Sequence, residues 1–190
     1  MSTAWERPAA RLRRTYFDCR YGQLHVHQAI PAGGGFDEAP ALVCLPGSAG
    51  LGAFFQPLLG ALGADRSIYA PDAPGHGQSD PAPAGQQPAQ SAALAVLDLL
   101  DSLRERRACL LAHAEGAAVA ASLVAQRPGL VLCVALCGQP EVPPAMALPA
   151  GLPVAAFALL GDGASARPAA PDPALLAELM AFLGTARPLT

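Results

Sequence analysis

Residues 41–70 read ALVCLPGSAGLGAFFQPLLGALGADRSIYA. Ala41 to Leu45 is a continuous apolar run bounded by Pro and Gly, the pattern of a strand buried on both faces. Phe54 to Leu62 reads as the helix that follows, and Ser67-Ile68-Tyr69-Ala70 as the next short strand. Strand, helix and strand in that order predict one unit of a parallel sheet, with Ala41–Leu45 near its centre.

The pattern extends in both directions. On the N-terminal side, Tyr16 to Ile30 alternates, with Gln23, His25 and His27 on one side and Leu24 and Val26 on the other. That is a half-buried antiparallel ribbon with its turn at Arg20-Tyr21-Gly22. On the C-terminal side, Ala89 to Arg106 is an Ala/Leu-rich stretch without internal Pro or Gly, predicted helical. Ala108–Ala112, Leu130–Cys137 and Val154–Leu160 are strand-like, and Glu115–Gln126 and Pro173–Leu183 helical. Pro140 to Pro153 is a Pro-rich linker. The sequence therefore predicts a three-layer α/β domain over residues 15–190, with residues 1–14 as a flexible N-terminal arm.

The chain has 190 residues, enough for one domain with a sizeable core. It is 52% hydrophobic and 14% charged, the balance of a packed body and not of a disordered chain. A net charge of −3 gives no electrostatic reason to expect nucleic acid or an anionic membrane as partner. No apolar run of signal-peptide type follows the early arginines, and the later apolar runs are broken well short of about 18 residues, so a soluble cytoplasmic protein is expected. Of the five cysteines, Cys44, Cys109, Cys133 and Cys137 lie in strand-like apolar runs and read as buried, reduced thiols. Cys133 and Cys137, spaced as two same-face strand residues, read as core thiols in preference to metal ligands. His25 and His27 share a strand face, but no further ligand converges on them in the sequence, and a solvated ribbon face is the expectation. Asp72, Asp80 and Asp101 read as turn or helix-end carboxylates. No metal or cofactor is called for.

Three segments, in order, resemble the α/β-hydrolase superfamily: Leu45-Pro46-Gly47-Ser48-Ala49-Gly50, Asp72-Ala73-Pro74-Gly75-His76-Gly77-Gln78-Ser79, and Leu110-Leu111-Ala112-His113-Ala114-Glu115-Gly116. The second is similar almost letter for letter to the superfamily's D-x-P-G-x-G-x-S turn. The resemblance spans roughly Tyr16 to Leu183 and implies a mostly parallel sheet, here as a short member without a cap domain. It places the oxyanion-hole N–H groups on Ser48 and Glu115, with Pro46 where the family has His. It places the nucleophile elbow, G-x-S-x-G, on Ala112-His113-Ala114-Glu115-Gly116, so Ala114 stands at the nucleophile position. A methyl group cannot attack a carbonyl. The family's acid pattern aligns with Gly161-Asp162-Gly163-Ala164, which puts Ala164 at the acid position and Asp162 two residues early. The base follows the final strand in the family, whereas the last histidine of this sequence is His113.

The resemblance thus implies a pseudo-hydrolase with a degenerate triad and a ligand-binding or protein-interaction role. Gly47, Ser48, His113, Ala114 and Glu115 are its candidate binding residues, for a small apolar or acyl-like ligand. The alternative is an atypical esterase-like hydrolase with a relocated nucleophile, for which Ser48, Cys137, His76, His113 and Asp162 are the fallback residues, or one completed by a second subunit. Ser48 otherwise reads as a turn serine, Cys137 as an inert buried thiol, and His76 and His113 as scaffold histidines. The short Pro140–Pro153 linker leaves no room for a lid, and an uncovered sheet edge beside an open mouth leads to the expectation of a homodimer.

Overall fold

The computed structural model describes residues 9–33, 39–138, 148–157 and 172–186. Seven strands form one sheet: β1 (Arg11–Cys19), β2 (Gly22–Ile30), β3 (Ala41–Leu45), β4 (Ile68–Pro71), β5 (Ala108–His113), β6 (Val131–Cys137) and β7 (Val154–Phe157), in the spatial order β1-β2-β4-β3-β5-β6-β7. β1 and β2 form an antiparallel hairpin and β2 meets β4 antiparallel, while β4, β3, β5, β6 and β7 run parallel. The helices are α1 (Gln56–Leu62), α2 (Pro88–Ser102), α3 (Gly116–Gln126) and α4 (Pro173–Thr185). None of the described helices is long and apolar enough to cross a membrane.

The continuous apolar runs are strands packed on both faces, and the alternation of side chains sorts them between two cores. Leu42, Cys44, Cys109, Leu111, Cys133, Ala135 and Cys137 join Leu58, Leu62, Leu179 and Leu183 of α1 and α4. Val43, Leu45, Leu110, Ala112, Val134 and Leu136 join the buried faces of α2 and α3. Complete burial of a Leu-sized side chain contributes about 1.5–3 kcal/mol, so the core strands β3, β5 and β6 carry much of the stability. Across β5 and β6 the register slips by one residue: Ala108 faces Val131, but Cys109 faces Cys133. The extra residue, Leu132, is a bulge on β6.

Several expectations are corrected in detail. β1 begins at Arg11, so Arg11–Arg14, assigned to the N-terminal arm, pair with Ile30 to His27 of β2. The long helix ends at Ser102 and not at Arg106, because Arg104 takes φ +59°. That left-handed residue lets Glu105 N donate to Leu100 O at 2.9 Å and Arg104 N to Asp101 O at 3.0 Å, a Schellman closure that turns the chain into β5. The helix predicted from Phe54 begins as a 3-10 turn, Gly52–Phe55, and becomes α-helical at Gln56. The predicted strand Val154–Leu160 is seen as far as Phe157. Its last three residues, most of the Pro140–Pro153 linker, and both acid-position candidates, Asp162 and Ala164, lie outside the described residues.

The largest correction concerns His25 and His27. They do not lie on a solvated ribbon face, for only 4% and 6% of their surface is exposed. The 3-10 turn and α1 cover that face, and Asp72, at the end of β4, reaches it from the other side.

Candidate functional site

The C-terminal ends of parallel strands are where loops converge in such sheets. Here the ends of β3 and β5 meet. β3 runs out into Pro46-Gly47-Ser48, closed by Gly50 N donating to Gly47 O at 2.9 Å. β5 runs into His113-Ala114-Glu115 and straight into α3. Ala114 adopts φ +46°, a left-handed conformation that an alanine takes only under constraint. The constraint is visible on both sides: Ala114 N donates to Cys137 O at 3.2 Å, and Ala117 N donates to Ala114 O at 3.0 Å, the first turn of the helix. Gly116 presses on the carbonyl of Leu45, where a methyl group would collide with backbone. The tight elbow therefore exists with alanine at its tip.

Gly47 allows the two loops to meet. A Cβ built there would lie 2.9 Å from Glu115 Oε2, 3.1 Å from His113 Nδ1 and 3.3 Å from the Ala114 methyl. The five candidate binding residues Gly47, Ser48, His113, Ala114 and Glu115 are thus brought together. The Ser48 backbone N–H donates to Glu115 Oε2 at 3.0 Å. The side chain of Glu115 was not anticipated in that role. Its position directly after Ala114 was the one available signal.

The fallback residues are distributed differently. His113 is buried, and its ring tilts against Phe54 with centroids 4.3 Å apart. His76 is exposed. Its Nδ1 lies 3.2 Å from Pro74 O and its ring stacks over Gly50, two residues beyond Ser48. Cys137 is buried, donates to Ala112 O at 3.5 Å, and has its thiol pushed up to about 12 by burial. A thiol of that kind keeps its proton and is a poor nucleophile.

Beside this mouth lies the Asp72-to-Ser79 turn. Asp72 is buried and takes Gly52 N–H at 2.7 Å on Oδ1, with Gln78 N–H at 3.2 Å and His25 Nδ1 at 2.8 Å on Oδ2. Ser79 Oγ donates to Asp72 O at 2.9 Å and accepts from His25 N at 3.0 Å. Gly77, at φ +54°, has no Cβ to strike the Asp72 carboxylate. The turn is therefore a buckle joining β2, the loop after β3 and the segment after β4. Donor atoms of His25, His27 and Asp72 all lie within 4.8 Å of one another, a spacing that a metal ion could use. Both carboxylate oxygens already accept hydrogen bonds, and Gln56 Nε2 lies 3.3 Å from His27 Nδ1, so hydrogen bonding accounts for the cluster. Burial, followed by the neighbouring His25, holds the His27 pKa below its ordinary value. An apolar recess of about 20 Å³ among Leu45, Pro46, Pro71, Pro74, Val96 and Val119 has room for a water molecule and no more.

The pattern of an alpha/beta hydrolase family matches residues 42–189. The chain belongs to the α/β-hydrolase family. Solved α/β-hydrolase-fold structures agree with that placement. A naproxen esterase from Bacillus subtilis is 23% identical with a TM-score of 0.59, covering 70% of this chain and 45% of that one. An epoxide hydrolase from Vigna radiata is 22% identical with a TM-score of 0.59, covering 70% and 41%. An alpha/beta hydrolase from Novosphingobium aromaticivorans is 23% identical with a TM-score of 0.57, covering 67% and 44%. At such identities the likeness is one of fold, and the α/β-hydrolase chain described here spans less than half the length of each. Comparison with curated proteins finds no match.

Proposed function

We propose that this α/β-hydrolase-fold chain is non-hydrolytic and acts by binding, with the mouth formed by Gly47, Ser48, Ala114 and Glu115 serving as an interaction site and not as a reaction centre. The observation that carries this reading is the Glu115 carboxylate on the Ser48 N–H. In the family's chemistry that N–H would meet a developing oxyanion, and one such donor contributes about 3 kcal/mol to the transition state. A carboxylate in its place removes that contribution. It also adds like-charge repulsion of about 1 to 4 kcal/mol at 4 Å, depending on how much water screens it. The alanine at the elbow points the same way.

The test is incubation with short-chain p-nitrophenyl esters and a fluorophosphonate, with intact mass read before and after. No turnover above buffer and an unchanged mass are expected. Turnover with an adduct that disappears in Ser48→Ala would overturn the proposal and establish Ser48 as a relocated nucleophile.

A second copy of this chain is the partner we favour for such a surface. β7 is the outermost described strand on its side of the sheet, with Val154, Ala155 and Ala156 half-buried. The opposite edge, β1, exposes Arg11, Arg13 and Arg14, which discourage pairing there. Light scattering is expected to give twice the chain mass of 19.3 kDa. A monomer at tens of micromolar would remove the homodimer from the proposal.

A further inference from the structure

At the opposite end of β5 from the elbow, Cys109 and Cys133 face each other in register on adjacent strands, both fully buried. The Leu132 bulge on β6 is what brings the second cysteine opposite the first. Neighbouring strands run about 4.8 Å apart, inside the Cα separation of roughly 4.4–6.8 Å that a disulfide spans. Beside the pair lies Arg66, a guanidinium with 5% of its surface exposed. Its Nε reaches Asp65 at 3.3 Å, but Nη1 is buried with no hydrogen-bond partner. A buried unpaired donor of a charged group calls for a reason, and an anion or a polarised sulfur would supply it.

The same core contains an internal control. Cys44 and Cys137 lie on the same face of the sheet and are equally buried, and burial pushes both thiols up. The Cys109 thiol moves the other way, drawn down first by its contact with the Cys133 sulfur and then by the charge of Arg66. The same contact, followed by burial, raises the Cys133 thiol in turn.

We propose that Cys109 and Cys133 are an oxidation site that takes a small hydroperoxide as its co-substrate and closes to a disulfide, with Arg66 holding the reacting sulfur. In the first step the Cys109 sulfur attacks one peroxide oxygen, the O–O bond breaks, and the leaving oxygen departs as water with the thiol proton. Cys109 becomes a sulfenic acid. In the second step the Cys133 sulfur attacks the Cys109 sulfur, the S–O bond breaks, and the hydroxide leaves as a second water with the Cys133 proton. With hydrogen peroxide as the hydroperoxide, two thiols lose two electrons and one peroxide becomes two waters. Burial restricts the oxidant to a molecule as small as hydrogen peroxide.

The experiment uses the full chain, folded, with a few equivalents of hydrogen peroxide. The reaction is quenched, the chain is unfolded, and its free thiols are counted by maleimide labelling and mass. Three of the five cysteines are expected to remain free. Cleavage after Glu115 and Glu141 puts Cys109 and Cys133 in separate peptides, which should appear joined and fall apart on reduction. Cys137→Ser should retain the cross-link, and Cys109→Ser and Cys133→Ser should abolish it. Arg66→Gln should slow its formation about tenfold, and Arg66→Lys should slow it less. Five labelled thiols in the folded wild-type chain would overturn the proposal on their own, whatever the variants do. A cross-link that survives in Cys133→Ser, or wild-type rates in a folded Arg66→Gln, would overturn it as well.

Discussion

Ala114 holds φ +46° although nothing about its methyl group requires it. A left-handed alanine costs about 1–2 kcal/mol, and a glycine there loses about 0.4–1 kcal/mol through its freer unfolded chain. Ala114→Gly should therefore raise stability by about 0.5–1 kcal/mol, read as a higher urea midpoint at unchanged slope. A lower midpoint would mean that the methyl makes packing contacts which outweigh its backbone cost. Ala114→Ser restores a hydroxyl at the elbow but neither a base nor an open oxyanion hole, so it should gain no fluorophosphonate adduct. An adduct in that variant would show that His113 or His76 serves as a base after all. The alanine at the elbow was legible from the three segments quoted above, because their resemblance to the superfamily's motifs locates that position. The Glu115 contact was not, since a residue name does not say which way a carboxylate turns.

At the scale of elements, the Asp72 buckle joins three chain segments through one carboxylate. Asp72→Asn replaces an acceptor oxygen with a donor facing backbone N–H groups, and loss of about 3 kcal/mol is expected by chemical denaturation. A change under 1 kcal/mol would mean that the turn is held by its glycines alone. His27 sets a pH dependence. Its folded pKa is depressed, so below the ordinary value of 6.5 the unfolded chain binds more protons than the folded one, and stability falls as pH drops through that range. The fall should begin near pH 6.5, before carboxylates titrate, and be smaller in His27→Gln. The sequence showed that His25 and His27 share a face. It did not show what covers that face, because the cover comes from Gly52–Phe55, Gln56 and Asp72, separated from both histidines by 25 residues or more of chain. Solvation could not be decided from the alternation alone. The helix start at Pro173 was legible and the one at Pro88 was read a residue late, at Ala89, whereas the end that Arg104 makes without the usual glycine was not legible.

Across the whole molecule, the parallel core was legible because β3, β5 and β6 are apolar on both faces, a pattern few other architectures share. The strand order was not written in any single run, and came into view through the resemblance of three spaced segments. The Arg20–Asp98 pair ties the β1–β2 turn to α2 through three hydrogen bonds of 2.8–2.9 Å, and the guanidinium holds the Asp98 carboxyl below its ordinary value. A depressed carboxyl contributes stability above its unfolded pKa, near 3.8, which is lost as pH falls further. With Arg20 side-chain exposure at 44%, screening limits the effect to about 0.5–1 kcal/mol. Asp98→Asn should therefore fall below wild type in urea midpoint at pH 7 and by less at pH 3. Equal midpoints at both values would mean that packing alone docks the hairpin.

The hydrogen bond from Ser48 to Glu115 has a consequence for anything that comes to the mouth. It joins two loops of one molecule, so an incoming anion competes with a carboxylate that is always present at an effective concentration on the order of millimolar or above. Exposed loops open on nanosecond to microsecond timescales, so access is frequent while occupancy stays low. A dilute carboxylate passes through without displacing Glu115. On the binding role proposed above, a visitor that stays must bring further contacts of its own along the rim, which favours large surfaces over small molecules.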